Sequence, residues 1–217
     1  MKSCKSTIYI INCEDISLNK KHIEIIENSP YFKLKAIKLA KIKEVSYQRY
    51  LEKKEMLKIT SLFLYFLIGS NNYQIKIDEF GKINIPEFDK ISIADSYPII
   101  CIATNKNYDI GIDIEFKNRE DELSDKLCFY SENIKYNLNS LKVWTIKEAI
   151  YKCYSSSRFD FRNEVIKLDD NLFSFQNNKA YIRFIDENDY IICVACKLDC
   201  KIMIKKINSK NIENELK

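Results

Sequence analysis

Glycine, proline and histidine are scarce in this chain of 217 residues, with three, three and one respectively. Three glycines leave no material for a glycine-rich phosphate loop, and three prolines force few turns. Long apolar runs are also missing. The longest, Leu62 to Ile68, is far too short to span a bilayer. Met1 to Asn12 lacks the long apolar stretch and small-residue cleavage site of a signal peptide. The expected location is therefore cytoplasmic, with no membrane engagement. A net charge of +4 is mild, and the lysines are scattered without a basic-aromatic stripe, which argues against nucleic acid as a partner. Eight cysteines are too sparse for a disulfide framework, and a cytosolic setting would keep them as thiols. Cys193 and Cys196 form a CxxC within the alternating run Tyr190 to Cys196, so they point to opposite faces of a strand. His22 is far away in sequence, and buried structural thiols are expected there rather than zinc ligands, Cys200 included.

Apolar residues make up 46% and aromatics 12% of the chain, enough for a globular core in one domain or two small ones. Ser6 to Ile11 reads as an opening strand, and Asp15 to Lys43 as polar and partly helical. Ser46 is an N-cap for a long helix that runs to Ile68 and stops at Gly69. Short strands are expected at Tyr73–Ile77, Ile91–Ala94 and Ile99–Thr104, with a turn at Glu79–Lys82 out of which Ile83-Asn84-Ile85-Pro86 leads, and a hairpin turn at Asn105–Asn107 leading into Tyr108–Phe116. After a charged, irregular stretch from Glu120 to Ser140, a helix covers about Leu141 to Tyr154 and ends at Ser155-Ser156-Ser157. Leu172–Phe175, Ala180–Ile185, Tyr190–Cys196 and Ile202–Ile207 complete a second set of strands, and the tail from Asn208 is polar and frayed. The order, helix then small sheet, occurs twice.

The segment Ile110 to Lys152 carries the chemistry. Ile110-Gly111-Ile112-Asp113-Ile114-Glu115 alternates with the period of a half-buried strand, placing Gly111, Asp113 and Glu115 on one face. Carboxylates two residues apart on a strand sit roughly 6.5 Å apart at the backbone, a spacing suited to a hard divalent cation. In the helix, Val143, Ile146, Ile150 and Cys153 form an apolar stripe, and Trp144, Glu148 and Lys152 line up nearly opposite it. Taken singly, these features are ordinary: a solvated strand face, a surface Glu–Lys pair, a packed tryptophan. Their coincidence is not.

Gly111-Ile112-Asp113-Ile114-Glu115 and Trp144-x-x-Lys147-Glu148-Ala149-x-x-Lys152 together resemble the signature of the surfactin-synthetase-type 4′-phosphopantetheinyl transferases. Upstream, Gly81-Lys82 with Ile85-Pro86 is similar to the family's Gly-Lys-Pro turn, and Ser92-Ile93-Ala94-Asp95-Ser96 falls where the family has Asn-x-Ser-His-Ser/Thr. The resemblance implies an α+β fold of two pseudo-two-fold related halves, each a helix packed on a small antiparallel sheet, with the active site at their interface. Residues 1–110 and 111–217 would form the halves. It further implies a monomer that moves the phosphopantetheine arm of coenzyme A onto a serine of an acyl or peptidyl carrier protein, with Mg²⁺, releasing 3′,5′-ADP. Asp113, Glu115 and Glu148 would ligate the metal, and Gly81, Lys82, Asp95, Ser96 and Lys152 would hold the coenzyme. Among the catalytic residues Asp113, Glu148 and Lys152, Lys152 would assist the leaving group. Glu148, or a water on the metal, would take the serine proton. Trp144 would orient the helix, while Lys147 touches phosphate or carrier or is solvated. The mild positive charge suits the acidic recognition helix of a carrier.

The departures from the family cluster in one subsite. Asp95 stands in place of the histidine that contacts the 3′-phosphate, Ile83 in place of the proline, and Tyr65 near the position of a coenzyme-binding arginine. Lysines such as Lys82 compensate, or the donor preference moves toward dephospho-coenzyme A, or activity has decayed. The rival reading is a non-catalytic relative that binds carrier protein or coenzyme A without transfer.

Overall fold

The computed structural model describes residues 4–79, 81–127, 137–154, 160–210 and 212; Phe80, Cys128 and the Ser155–Ser157 break lie outside them. Two sheets pack face to face, and each carries helices on its outer side. The first has the strand order β11-β1-β5-β4, from β1 (Lys5–Asn12), β4 (Lys90–Ser96), β5 (Ile99–Asn105) and β11 (Lys201–Ile207). The second runs β6-β10-β9-β8-β7, from β6 (Ile110–Phe116), β7 (Val165–Lys167), β8 (Leu172–Phe175), β9 (Asn178–Asp186) and β10 (Tyr190–Cys196). A short hairpin, β2 (Lys76–Ile77) and β3 (Ile83–Asn84), stands apart from both.

Alternation along the strands decides which side each residue serves. Ile8 and Ile10 of β1, with Cys101 and Ala103 of β5, meet Ile110, Ile112, Ile114, Ile192 and Val194 between the sheets. Ile11, Ile100 and Ile102 face the other way, onto α1 (Lys20–Asn28), α2 (Pro30–Val45) and α3 (Tyr47–Ile68). Ser46 caps α3 by accepting from Arg49 N, and Gly69 ends it in the left-handed region at φ 83°. On the second sheet, α4 (Glu120–Leu127) precedes α5 (Ser140–Tyr154), whose stripe Val143, Ile146, Ile150 and Cys153 packs with Val165, Phe173, Phe175 and Cys193. Among the described residues no helix is long and apolar enough to cross a membrane.

Four expectations change. The Asn105–Asn107 turn does not make a hairpin, because β6 leaves the first sheet and pairs antiparallel with β10. The sheets still touch there: Ile112 N donates to Ser92 Oγ of β4 at 3.1 Å. The last strand, β11, returns to the first sheet and runs parallel to β1, Lys5 opposite Lys201. That pairing brings the Cys4 and Cys200 Cα atoms to 4.6 Å, and the two are joined as a disulfide instead of remaining thiols. Finally, the tail is not frayed as far as it is described, since Ile212 is 1% exposed in the first core. Cys193 and Cys196 face opposite sides of β10, toward α5 and toward the first sheet respectively.

Gly111 sets the height of α5 above β6. A Cβ there would lie 1.9 Å from the Ala149 carbonyl oxygen and 2.5 Å from Cys153 N, both backbone atoms that cannot swing away. Gly111→Ala should therefore cost about 2–3 kcal/mol in urea unfolding. An unchanged midpoint would show that the helix does not rest on this glycine.

Candidate active site

With α5 seated this closely, the line Trp144, Glu148, Lys152 lies over the Gly111, Asp113, Glu115 face of β6. Asp113 and Glu115 are buried, at 6% and 7% exposure. Lys152 Nζ donates to Asp113 Oδ1 at 2.7 Å. Asp113 Oδ2 is buried and has no hydrogen-bond partner among the described residues. Glu115 accepts from Trp144 Nε1 at 3.0 Å through Oε1, and its Oε2 pairs with Arg119, a partner that the sequence reading missed.

The electrostatics follow from crowding acids in a dry place. Burial pushes Glu148 up to about 7, Asp113 and Glu115 push the same way, and Lys152 opposes them. Burial likewise raises Asp113, with Lys152 pulling back, and raises Glu115, reinforced by Asp113 and opposed by Arg119 and Trp144. For Lys152, burial works against the ammonium, yet Asp113 and Glu148 more than offset it and the pKa ends above its usual value. Three acids thus share one neighbourhood with a protonated lysine.

A metal would have to enter this cluster. Among the described residues no group of three His, Cys, Asp or Glu side chains converges as a metal-binding set; Asp113 and Glu115 are turned to Lys152, Arg119 and Trp144. The donor chemistry nevertheless suits a hard cation. All the candidate ligands are carboxylates, and an orphaned, buried Asp113 Oδ2 is a lone pair in want of a positive partner.

Beside Lys152 opens a cleft of about 190 Å³. Its walls hold Gly81, Lys82, Asp95 and Lys152, four of the five residues expected to hold the coenzyme, with Ile83 among them; Ser96, at the end of β4, is not part of the lining. Ile91, Ser92 and Ile93 of β4 also line it, as do Tyr31 and Lys35 of α2 and Tyr151 of α5, which were not anticipated. Gly81 adopts φ 88°, which suits a glycine, in a turn closed by Asp78 N to Lys82 O at 3.0 Å.

Lys82 is held elsewhere than Asp95. Its Nζ reaches Asp109 Oδ1 at 3.2 Å and the Cys153 carbonyl at 2.9 Å, where it satisfies the C-terminal turn of α5. Asp95 instead pairs with Lys53 of α3 at 2.5 Å. Lys35, nearby, is pushed below its usual value by burial and by Lys38, with Asp95 acting the other way. Tyr65 is half-buried against the helical core. Lys147 is neither solvated nor in the cleft: it is fully buried, and its Nζ donates to the Phe161 carbonyl at 3.0 Å.

Residues 109–195 match the family model of the 4′-phosphopantetheinyl transferase superfamily, ACPS. The matched segment runs from Asp109, just before β6, to Ala195 in β10, and so contains Asp113, Glu115, Glu148 and Lys152. It supports the superfamily and does not reach the surfactin-synthetase-type subclass. No curated protein matches the chain.

Asp109, at the start of that segment, gathers cations from three places: Lys82 and Lys90 at 3.2 Å and Lys197 at 2.6 Å. Burial would raise its pKa, but Lys197, Lys82 and Lys90 outweigh it and hold the carboxyl well below the usual range. A depressed acid stabilises the fold above its unfolded pKa and loses that contribution as pH falls through the folded value. Asp109→Asn should therefore cost about 1–2 kcal/mol at neutral pH, discounted for partial exposure. The gap to wild type should narrow below about pH 4. Urea midpoints at both pH values check this, and a gap equal at the two would contradict it.

Proposed function

We propose that this chain is a magnesium-dependent 4′-phosphopantetheinyl transferase of the larger, two-halved, surfactin-synthetase type. It acts as a cytoplasmic monomer and moves the phosphopantetheine arm of coenzyme A onto a serine of an acyl or peptidyl carrier protein, releasing 3′,5′-ADP. The observation that carries this reading is the cluster of buried Asp113 and Glu115 with half-buried Glu148 within the superfamily match, one Asp113 oxygen without a partner among the described residues, and Lys152 pairing with Asp113 while lining a cleft. Residues 1–110 and 111–217 form the halves, related by a pseudo-two-fold axis with the active site between them. In support, each sheet carries helices on its outer face, and the cleft is lined from both sides of residue 110.

In the reaction, a bond forms between the carrier serine oxygen and the phosphorus of the phosphopantetheine arm. The bond from that phosphorus to the oxygen of the departing 3′,5′-ADP breaks. Asp113, Glu115 and Glu148 would hold Mg²⁺, which supplies polarisation of the phosphoryl group and neutralisation of developing charge. Lys152, kept protonated by Asp113 and Glu148, binds the phosphates and stabilises the leaving oxygen. Glu148, beside Asp113 and Lys152, would accept the serine proton. Gly81, Lys82 and Asp95 line the cleft that would take the coenzyme; Ser96, outside that lining, is kept as a coenzyme residue on the resemblance alone.

Incubation of the protein with an apo carrier, coenzyme A and Mg²⁺ should add the arm to the carrier, read as a mass gain by mass spectrometry. Glu148→Gln should lower the rate by at least about 10²-fold while leaving circular dichroism unchanged. No gain on several carriers would favour a non-catalytic binder of carrier or coenzyme A, and a fully active Glu148→Gln would remove α5 from the site.

A further inference from the structure

The fully buried Lys147 is the one charged signature residue that the proposed reaction does not use. Its ammonium, out of contact with water, donates to the Phe161 carbonyl at 3.0 Å and lies 5.8 Å from the Phe175 ring centroid. Burying a cation is costly unless it is hydrogen-bonded, so this group fixes what it binds. Among the described residues it binds the Phe161 carbonyl, and Gln176 Nε2 holds the neighbouring Asp160 carbonyl at 3.0 Å. The Phe161 ring is thereby set among three aromatic rings, with centroid distances of 5.3 Å to Trp144, 5.8 Å to Tyr151 and 6.2 Å to Phe175. Trp144 in turn donates Nε1–H to Glu115 Oε1 at 3.0 Å.

We propose that Phe161, pinned by Lys147, is a positioning residue that sets the Glu115 carboxylate through Trp144. Trp144 is half-buried and its flank also packs on the Leu123, Leu141 and Ile191 cluster. Its indole N–H is committed to Glu115, and among the described residues Phe161 is the ring in contact with it, at 5.3 Å. Without Phe161 the indole gains freedom to rotate, and the oxygen that it orients is released toward Arg119, which already holds the other. Outer groups of this kind tune a site without touching the reacting atoms, and their loss falls on metal affinity more than on chemistry. The role of Glu115 rests on the transferase reading; the Phe161–Trp144 contact does not.

Trp144 is the only tryptophan in the chain, so fluorescence excited at the indole, apart from the tyrosines, reports the surroundings of this one ring. In Phe161→Ala, emission should move to the red and acrylamide quenching should rise. The Mg²⁺ concentration giving half-maximal transfer should increase about 10-fold, with kcat at saturating Mg²⁺ within about 3-fold of wild type. Phe161→Tyr should restore both readouts, and Lys147→Met should reproduce both in weaker form. Should Phe161→Ala fail to fold by circular dichroism, Lys147→Met decides the matter. Unchanged quenching would overturn the proposal, as would altered quenching with an unmoved Mg²⁺ requirement. If the wild type transfers nothing, the transferase reading fails, and the quenching comparison still judges whether Phe161 positions Trp144.

Discussion

The contact on which the site depends is the bare backbone of Gly111 beneath α5. Any side chain there would meet the Ala149 carbonyl and the Cys153 amide, so the helix comes closer to β6 than ordinary packing allows. Closeness has an electrostatic consequence. It folds Trp144, Glu148 and Lys152 down onto Asp113 and Glu115 and takes the acids out of water. Burial first, then the neighbouring Asp113 and Glu115, raise Glu148 to about 7 against the pull of Lys152, and among the described residues one Asp113 oxygen is left unsatisfied. Such an arrangement costs folding energy, and chains retain it where the stored charge has a use.

The rest of the fold holds this contact in place. The apolar stripe of α5 is fixed on the second sheet by Val165, Phe175 and Cys193, while Lys82 ties the end of the helix to Asp109 and the β2–β3 turn. Asp109 is thus a hub rather than a site residue. Its three lysines come from the β2–β3 turn, from β4 and from the segment after β10. Ser92 joins β4 to β6 through one hydroxyl at the seam between the sheets. The cleft lies beside that seam.

What was legible in the sequence was periodic and local. The alternation of Ile110 to Glu115 gave the strand and its two faces, and the stripe on α5 gave the side that packs. Ser46 and Gly69 bounded α3, because capping is decided within a few residues. What was not legible depended on distant partners. Nothing in Lys201 to Ile207 says that it pairs with β1, and without that pairing the Cys4–Cys200 disulfide cannot be foreseen. Lys147 looked like a surface cation because its helical position does not reveal that residues 160–163 close over it. The Arg119 and Lys53 ion pairs of Glu115 and Asp95 are of the same kind.

The central claim is that the unsatisfied acid cluster is kept for a divalent cation. Thermal unfolding in the presence of coenzyme A, followed as Mg²⁺ is added at pH 8, tests it directly, because a ligand bound only by the folded state raises Tm with its concentration. Wild-type Tm should climb and saturate, and Asp113→Asn should stay flat over the same range. A wild-type Tm indifferent to Mg²⁺, or an Asp113→Asn curve that climbs equally, would contradict the account.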